Sequence, residues 1–171
     1  TDKELWQNAK VMEAFVKTMG KRIGPKSGTD KMFVIDGEPD AMAAQYGEYF
    51  NYFILQAYSS SGNSDLNSRF TAQATHFQQY LTPEQVANKL IVCENFENYA
   101  GKGGVSFRLD NGKTLPSLLG MAYWNPVYNG VTYRKGGVGT YHMEYEYTVS
   151  GQTGNYPFLR KAIQIMNPSI Q

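Results

Sequence analysis

The chain has 171 residues, with 16 basic and 15 acidic side chains and a formal net charge of +1. That length makes one domain or part of one, and the charge balance leaves no basic footprint for nucleic acid or for an anionic membrane surface. Its 42 % of hydrophobic residues marks a folding chain rather than a disordered one. The longest apolar stretch, Phe50 to Tyr58, is far too short to cross a bilayer. No signal peptide or lipidation motif opens the sequence, so an exported form is expected to be processed or truncated.

Helix and strand signals alternate along the chain. Thr1 and Glu4 form a capping-box pattern. Leu5, Ala9, Met12, Phe15, Val16 and Met19 recur at helical spacing, and Gly20, Gly24 and Pro25 end that helix. Lys31 to Ile35 reads as a short buried strand, broken by the loop Asp36 to Asp40. A short helix is predicted from Ala41 to Tyr46, a second strand from Tyr52 to Tyr58, and a polar loop from Ser59 to Ser64. Phe70 to Tyr80 predicts a helix, and Pro83 adds another turn of helix. Leu90 to Glu94 is a third strand. A Gly/Asn-rich stretch follows, with a small hairpin expected where Val105 to Leu109 meets Asp110-Asn111-Gly112. Leu115 to Trp124 predicts a helix with Pro116 near its first turn. Gly136 to Gly139 leads into a fourth strand, Thr140 to Val149, and Pro157 opens a last helix, Phe158 to Met166.

Cysteine and histidine narrow the chemistry. Cys93 is the single cysteine, so no internal disulfide forms, and its apolar setting reads as a small buried hydrophobe. His76 and His142 are the two histidines, too few for a usual zinc site, and no metal or other cofactor is expected. The glycines at 101, 103 and 104 lack the Lys-Ser/Thr of a phosphate loop. Tyrosine is abundant, at 13 residues. A flat apolar ring with a polar tip suits sugar rings, and it also suits a core whose hydroxyls reach water.

Strands separated by helices imply parallel pairing, and their continuous apolar runs suit burial on both faces. Polar residues gather where the predicted strands end: Asp36, Gln56 and Tyr58, Glu94 and Asn95, Glu144 and Glu146. In α/β folds that edge is where ligands bind. A chain that begins with a helix and holds four strands has the pattern of an α/β barrel entered halfway, since a whole barrel needs about 250 residues. The fold class expected is therefore α/β, a parallel (β/α) barrel type, with residues 1–171 forming a single segment.

Four stretches, Gly136 to Tyr147, Tyr49 to Tyr58, Leu90 to Glu97 and Lys31 to Gly37, together resemble family 18 glycoside hydrolases, nearest to the endo-β-N-acetylglucosaminidase branch. Gly136 to Tyr147 (GGVGTYHMEYEY) is similar to the last barrel strand of that family. Tyr49 to Tyr58 (YFNYFILQAY) is similar to its sixth strand, Leu90 to Glu97 (LIVCENFE) to its seventh, and Lys31 to Gly37 to its fifth. The resemblance implies the second half, strands five to eight, of a TIM barrel. It also implies part of an enzyme that cleaves GlcNAc-β-1,4-GlcNAc linkages in N-glycans, with the substrate's own N-acetyl oxygen attacking the anomeric carbon. The family's acidic signature, Asp-x-x-Asp-x-Asp-x-Glu at the end of strand four, would precede Thr1. Asp36 and Glu38 echo only its end and read better as a loop after the fifth strand.

By the same resemblance Tyr58 positions the N-acetyl group, and Asp36, Gln56, Glu94, Asn95, Glu144 and Glu146 line the substrate side. Read from the residues alone, Tyr58 is equally a packing residue of the rim. Glu144 and Glu146 are either sugar ligands sharing one strand face or solvated carboxylates, and Glu144 stands where chitinases of the family carry a Trp. Trp124 either stacks on sugar or packs in the core. The partners implied are an oligosaccharide or N-glycan, and either the missing N-terminal half-barrel or a second copy of the chain. The implied location is secreted or cell-surface, as for bacterial lipoproteins of the family. The isolated chain is expected not to hydrolyse. A non-catalytic carbohydrate-binding or structural half-barrel is the other class the sequence leaves open.

Overall fold

The computed structural model describes residues 8–148 and 155–168. Its centre is a parallel four-stranded sheet built from β1 (Val34–Gly37), β2 (Tyr52–Gln56), β3 (Leu90–Asn95) and a last strand, Gly137–Tyr141, in that order. Helices connect the strands: α1 (Ala9–Gly20) precedes β1, and α2 (Asn63–Phe77) and α3 (Pro83–Lys89) lie between β2 and β3. Two small antiparallel hairpins follow β3. The first joins β4 (Ser106–Arg108) to β5 (Thr114–Pro116). After α4 (Ser117–Tyr123), the second joins β6 (Val127–Tyr128) to β7 (Val131–Thr132). The sheet strand Gly137–Tyr141 is thus β8, and α5 (Glu144–Thr148) and α6 (Pro157–Met166) complete the described chain. Among the described residues no helix is long and apolar enough to cross a membrane.

One face of the sheet is packed by helices and carries Ile35, Phe53, Leu55, Leu90 and Val92, all buried. Phenylalanine rings extend this core: Phe33 lies 4.3 Å from Phe50, and Phe53 stacks on Phe77 at 5.1 Å. Rings of this size dominate core energetics through the apolar area they remove from water. A smaller cluster, Phe96, Ala100, Leu118, Ala122 and Ala162, packs α4 against α6.

Several element boundaries differ from the sequence reading. The Thr1–Glu4 capping pattern lies outside the described residues; the described helix begins at Ala9, where the Asn8 side chain accepts the Val11 amide. The β1 ladder begins at Val34 rather than Lys31, because Asn51 takes the Phe33 backbone on both its polar groups. The loop predicted up to Ser64 yields to α2 at Asn63. Leu66, Phe70, Ala74 and Phe77 form its buried stripe, and the polar residues of its first turns mask that periodicity. The predicted hairpin forms as expected, closed by the Gly112 amide on the Leu109 carbonyl.

The largest correction concerns the fourth strand. The sequence reading extends the strand from Thr140 to Val149, yet β8 ends at Tyr141, and Val149 lies outside the described residues. The glycines read as a lead-in are the strand itself, paired with Ile91 and Cys93. His142 then takes φ +60°, which ends the ladder, and α5 follows.

Lys135, just before β8, is almost fully buried at 2 % exposure. Its ammonium donates to the Ala122 carbonyl at 2.9 Å and to the Trp124 carbonyl, capping the C-terminal end of α4. Burial, and then the neighbouring Arg134 charge, push its amine down to about 8 from 10.5. The unfolded chain therefore binds more protons than the folded one between those values. Stability should rise with pH across that window and fall back as pH drops through the folded value. Lys135→Met should remove this rise. Urea midpoints of wild type and variant near pH 7 and near pH 10 test it, and an unchanged difference between the two proteins at both pH values would contradict it.

Candidate functional site

Parallel pairing brings the C-terminal ends of all four strands to one edge. Register fixes which residues share a face there. Asp36 lies opposite Ile54, Gln56 opposite Cys93, and Cys93 opposite Gly139, so these positions point to the face away from the helices. Tyr58 and Tyr141 close the group, their rings 6.1 Å apart. Asp36, Cys93 and Tyr141 all act electrostatically on the Tyr58 phenol. Each of the four strands thus contributes one polar or aromatic group to one small region. Gly137 and Gly139 leave the β8 side of this face without side chains.

The Tyr58 phenol is pushed up to about 12, first by burial and then by its electrostatic neighbours Cys93, Asp36, Tyr141 and Glu94. It stays protonated at any physiological pH and is available as a hydrogen-bond donor. Asp36 is exposed at the end of β1 and offers an acceptor. A neutral donor, a carboxylate and an exposed tyrosine ring suit an uncharged ligand that carries both amide and hydroxyl groups.

The other expected site residues divide between this face and the rest of the fold. Gln56 is half-buried on the same face as Asp36. Asn95 ends β3 and turns back on itself, its side-chain oxygen accepting the Glu97 amide at 2.7 Å. Glu94 is not an open rim group. It sits one position on from Cys93 and therefore on the opposite face, only 1 % exposed. Its Oε1 accepts the Ser59 amide at 3.4 Å and the Asn95 amide at 2.7 Å.

Glu144 and Glu146 do not share a strand face, because both lie on α5, where residues two apart point in different directions. Glu144 is exposed and bonds His142 Nδ1 at 2.6 Å, and that bond holds its carboxyl below the usual range. Glu146 is fully buried and accepts the Phe158 amide at 2.5 Å and the Leu159 amide at 3.4 Å. It caps the N-terminal turn of α6, where a carboxylate meets unpaired amides and the positive end of the dipole. Burial raises its carboxyl above the usual value against the pull of those two amides.

Of the two readings left open for Trp124, the core one holds: the ring is 2 % exposed and its indole N–H donates to Asn67 Oδ1 at 2.9 Å. Glu38 faces Arg69 of α2, with 3.4 Å between Oε1 and Nη1. His76 bonds the Met42 carbonyl at 2.8 Å. Among the described residues no group of three His, Cys, Asp or Glu is placed to hold a metal ion. Tyr141 and Cys93 are the members of the cluster that sequence reasoning missed. The alternation Gly137, Gly139, Tyr141 carries the signal for Tyr141, because residues two apart share a strand face.

Cys93 lies in this cluster without being a reactive thiol. It is buried, and burial followed by the charges of Asp36 and Glu94 pushes it up to about 12. Thiolate is the reacting form. The native chain should therefore leave Cys93 unmodified by a disulfide reagent near pH 8, with one thiol appearing on denaturation. Rapid native labelling would contradict this geometry.

Comparison with known proteins gives consistent findings. The family model for glycoside hydrolase family 18, BT1044-like, matches residues 1–165. Endo-beta-N-acetylglucosaminidase F2 of Elizabethkingia meningoseptica is 28 % identical over 163 residues, covering 91 % of this chain and 45 % of that protein. A selenomethionine structure of BT1044 carrying a Glu-to-Gln change superposes with a TM-score of 0.72 at 26 % identity, covering 93 % of this chain and 45 % of its own. The endo-β-N-acetylglucosaminidase of Cordyceps militaris, solved in complex with fucosyl-N-acetylglucosamine-Asn, shares the fold with a TM-score of 0.63 at 23 % identity, covering 90 % of this chain and 49 % of its own. The chain spans about half the length of these relatives.

Proposed function

The chain belongs to glycoside hydrolase family 18, BT1044-like, and from that membership we propose that it forms strands five to eight of a (β/α)8 barrel and carries the N-acetyl-binding side of an endo-β-N-acetylglucosaminidase. The substrate class of this proposal is the GlcNAc-β-1,4-GlcNAc linkage of N-glycans: the relative in Elizabethkingia is named an endo-beta-N-acetylglucosaminidase, and the Cordyceps enzyme was solved with fucosyl-N-acetylglucosamine-Asn. One observation carries the reading: four parallel strands each bring one group, Asp36, Tyr58, Cys93 and Tyr141, to a common C-terminal edge. In barrels that edge holds the chemistry.

The proposed mechanism is substrate-assisted. The N-acetyl carbonyl oxygen attacks the anomeric carbon as the glycosidic C–O bond breaks, and water later takes the place of that oxygen with net retention. Tyr58 holds the acetamido group in line by donating its phenolic proton as a hydrogen bond, and its raised pKa keeps that proton in place. Asp36 lies close enough to influence Tyr58 and accepts from an amide or hydroxyl of the bound sugar. The proton that the leaving oxygen needs comes from an acid on strand four, carried by the half of the barrel that the relatives' greater length accommodates. The edges of the sheet at β1 and β8 are where that half, or a second copy of the chain, would pair.

This reading predicts that the 171-residue chain alone releases no glycan from a high-mannose glycoprotein. In the polypeptide that also carries the first half of the barrel, Tyr58→Phe should lower kcat about 10²-fold to 10³-fold with little change in KM, the signature of a donor that acts in the transition state. Glycan release by the lone chain, measured by mass spectrometry, would sink the proposed division of labour. Full activity of the Tyr58→Phe protein would remove Tyr58 from the mechanism.

A further inference from the structure

Tyr58 sits in an unusual turn. Ser59, the next residue, has φ +61°, a left-handed conformation that serine adopts only where its surroundings impose it. The turn closes through the Ser60 amide on the Ala57 carbonyl at 3.0 Å, which puts Ser59 at the position that glycine usually fills. Something outside the turn must hold it, and the Ser59 amide points to what does: it donates to Oε1 of Glu94, which also accepts the Asn95 amide. The carboxylate ties the backbone after β2 to the end of β3.

The setting of Glu94 is costly. The side chain is 1 % exposed, and among the described residues its Oε2 has no hydrogen-bond partner. Gly104 presses against it at φ +102°, where an added Cβ would lie 1.9 Å from Ser117 Oγ and 3.0 Å from Glu94 Cγ. Ser117 Oγ is also buried with no partner among the described residues. A buried carboxylate with an unsatisfied oxygen costs stability, and a hydrophobic residue would fill the space more cheaply. Packing alone does not account for an acid here. An acceptor for two backbone amides does, with a short bond to the Asn95 amide at 2.7 Å and a longer one to the Ser59 amide at 3.4 Å.

We propose that Glu94 is the positioning residue of the candidate site: through the Ser59 amide it fixes the strained turn that aims Tyr58 beside Tyr141 and Asp36, and so sets how tightly an N-acetyl group is held. The ligand part rests on the role given to Tyr58 above; the positioning part does not. Glu94 itself touches no substrate, because it lies on the opposite face of β3 from Cys93.

The test uses the chain with ¹³Cζ-labelled tyrosine, the Tyr58 resonance being assigned by its loss in Tyr58→Phe, and N,N′-diacetylchitobiose as probe. Glu94→Ala should displace the Tyr58 resonance and weaken chitobiose binding about tenfold. Glu94→Gln keeps an oxygen in place and should restore both most of the way. In the unmutated chain the Ser59 amide should exchange slowly with deuterium. A folded Glu94→Ala protein with an unmoved Tyr58 resonance overturns the proposal, as does a Glu94→Gln protein no better than Glu94→Ala, or a Ser59 amide that exchanges like an open loop. Should Glu94→Ala fail to fold, the exchange measurement and the Gln variant decide. A Tyr58 resonance that ignores chitobiose but still moves in Glu94→Ala leaves the positioning role standing and removes the glycan reading.

Discussion

Parallel pairing of four strands sets the geometry of this chain. A parallel ladder needs each connection to cross back over the sheet, which lays helices on one face and turns every strand to end at the same edge. Here α2 and α3 return the chain from β2 to β3, and their apolar stripes cover Ile35, Phe53, Leu55 and Val92. The opposite face carries Tyr52, Ile54 and Ile91 along the sheet and polar groups toward the strand ends. The packing that stabilises the sheet and the clustering of Asp36, Tyr58 and Tyr141 are therefore two results of one topology.

The sheet was legible because its strands are apolar runs bounded by turn residues. Tyr52 to Gln56 and Leu90 to Asn95 fall within a residue or two of where hydrophobicity puts them. The position of Tyr58 beside the strand ends was legible as well, two residues past a strand residue of the same face. The end of the chain was not. From Tyr141 to Val149, aromatic or apolar residues alternate with polar ones at a period of two, the signature of a half-buried strand. The periodicity is real, but a strand also needs a partner. β3 stops at Asn95, where the Asn95 side chain takes the Glu97 amide and turns the chain away. The Phe96 amide makes the last bond, to the Tyr141 carbonyl. Past that point an extended chain would leave its own amides and carbonyls unpaired, and α5 satisfies them locally instead. The length of one strand decided the fold of another, and a pattern read along one segment cannot carry that information.

The same event explains the fate of the carboxylates. As strand residues, Glu144 and Glu146 would have faced one way; on α5 they part. Glu144 goes to solvent and His142, and Glu146 goes to the amides that open α6. Glu94 moves the other way. It looks like a rim acid because it stands at a strand end, yet the alternation of β3 turns it inward. An acid near a ligand edge is a ligand only if the strand's parity aims it there.

Electrostatics divides the buried ionisable groups into two kinds. Lys135 and Glu146 each meet backbone groups at a helix end, a lysine on terminal carbonyls and a carboxylate on initial amides, so their charges complement the local dipole. Both serve the scaffold. Tyr58 and Cys93 sit at no helix end, and burial reinforced by nearby acids holds them in their neutral forms. That leaves a region with one exposed carboxylate, Asp36, and two protonated groups. Such a region favours a neutral amide over a charged ligand: an anion would meet Asp36 without a compensating cation, and a cation would find one acid partly offset by its desolvation. An N-acetyl group pays neither cost. In the proposed pose it would present a carbonyl oxygen to a phenol that stays protonated and an N–H to a carboxylate, so the charge pattern fits the reading proposed for this edge.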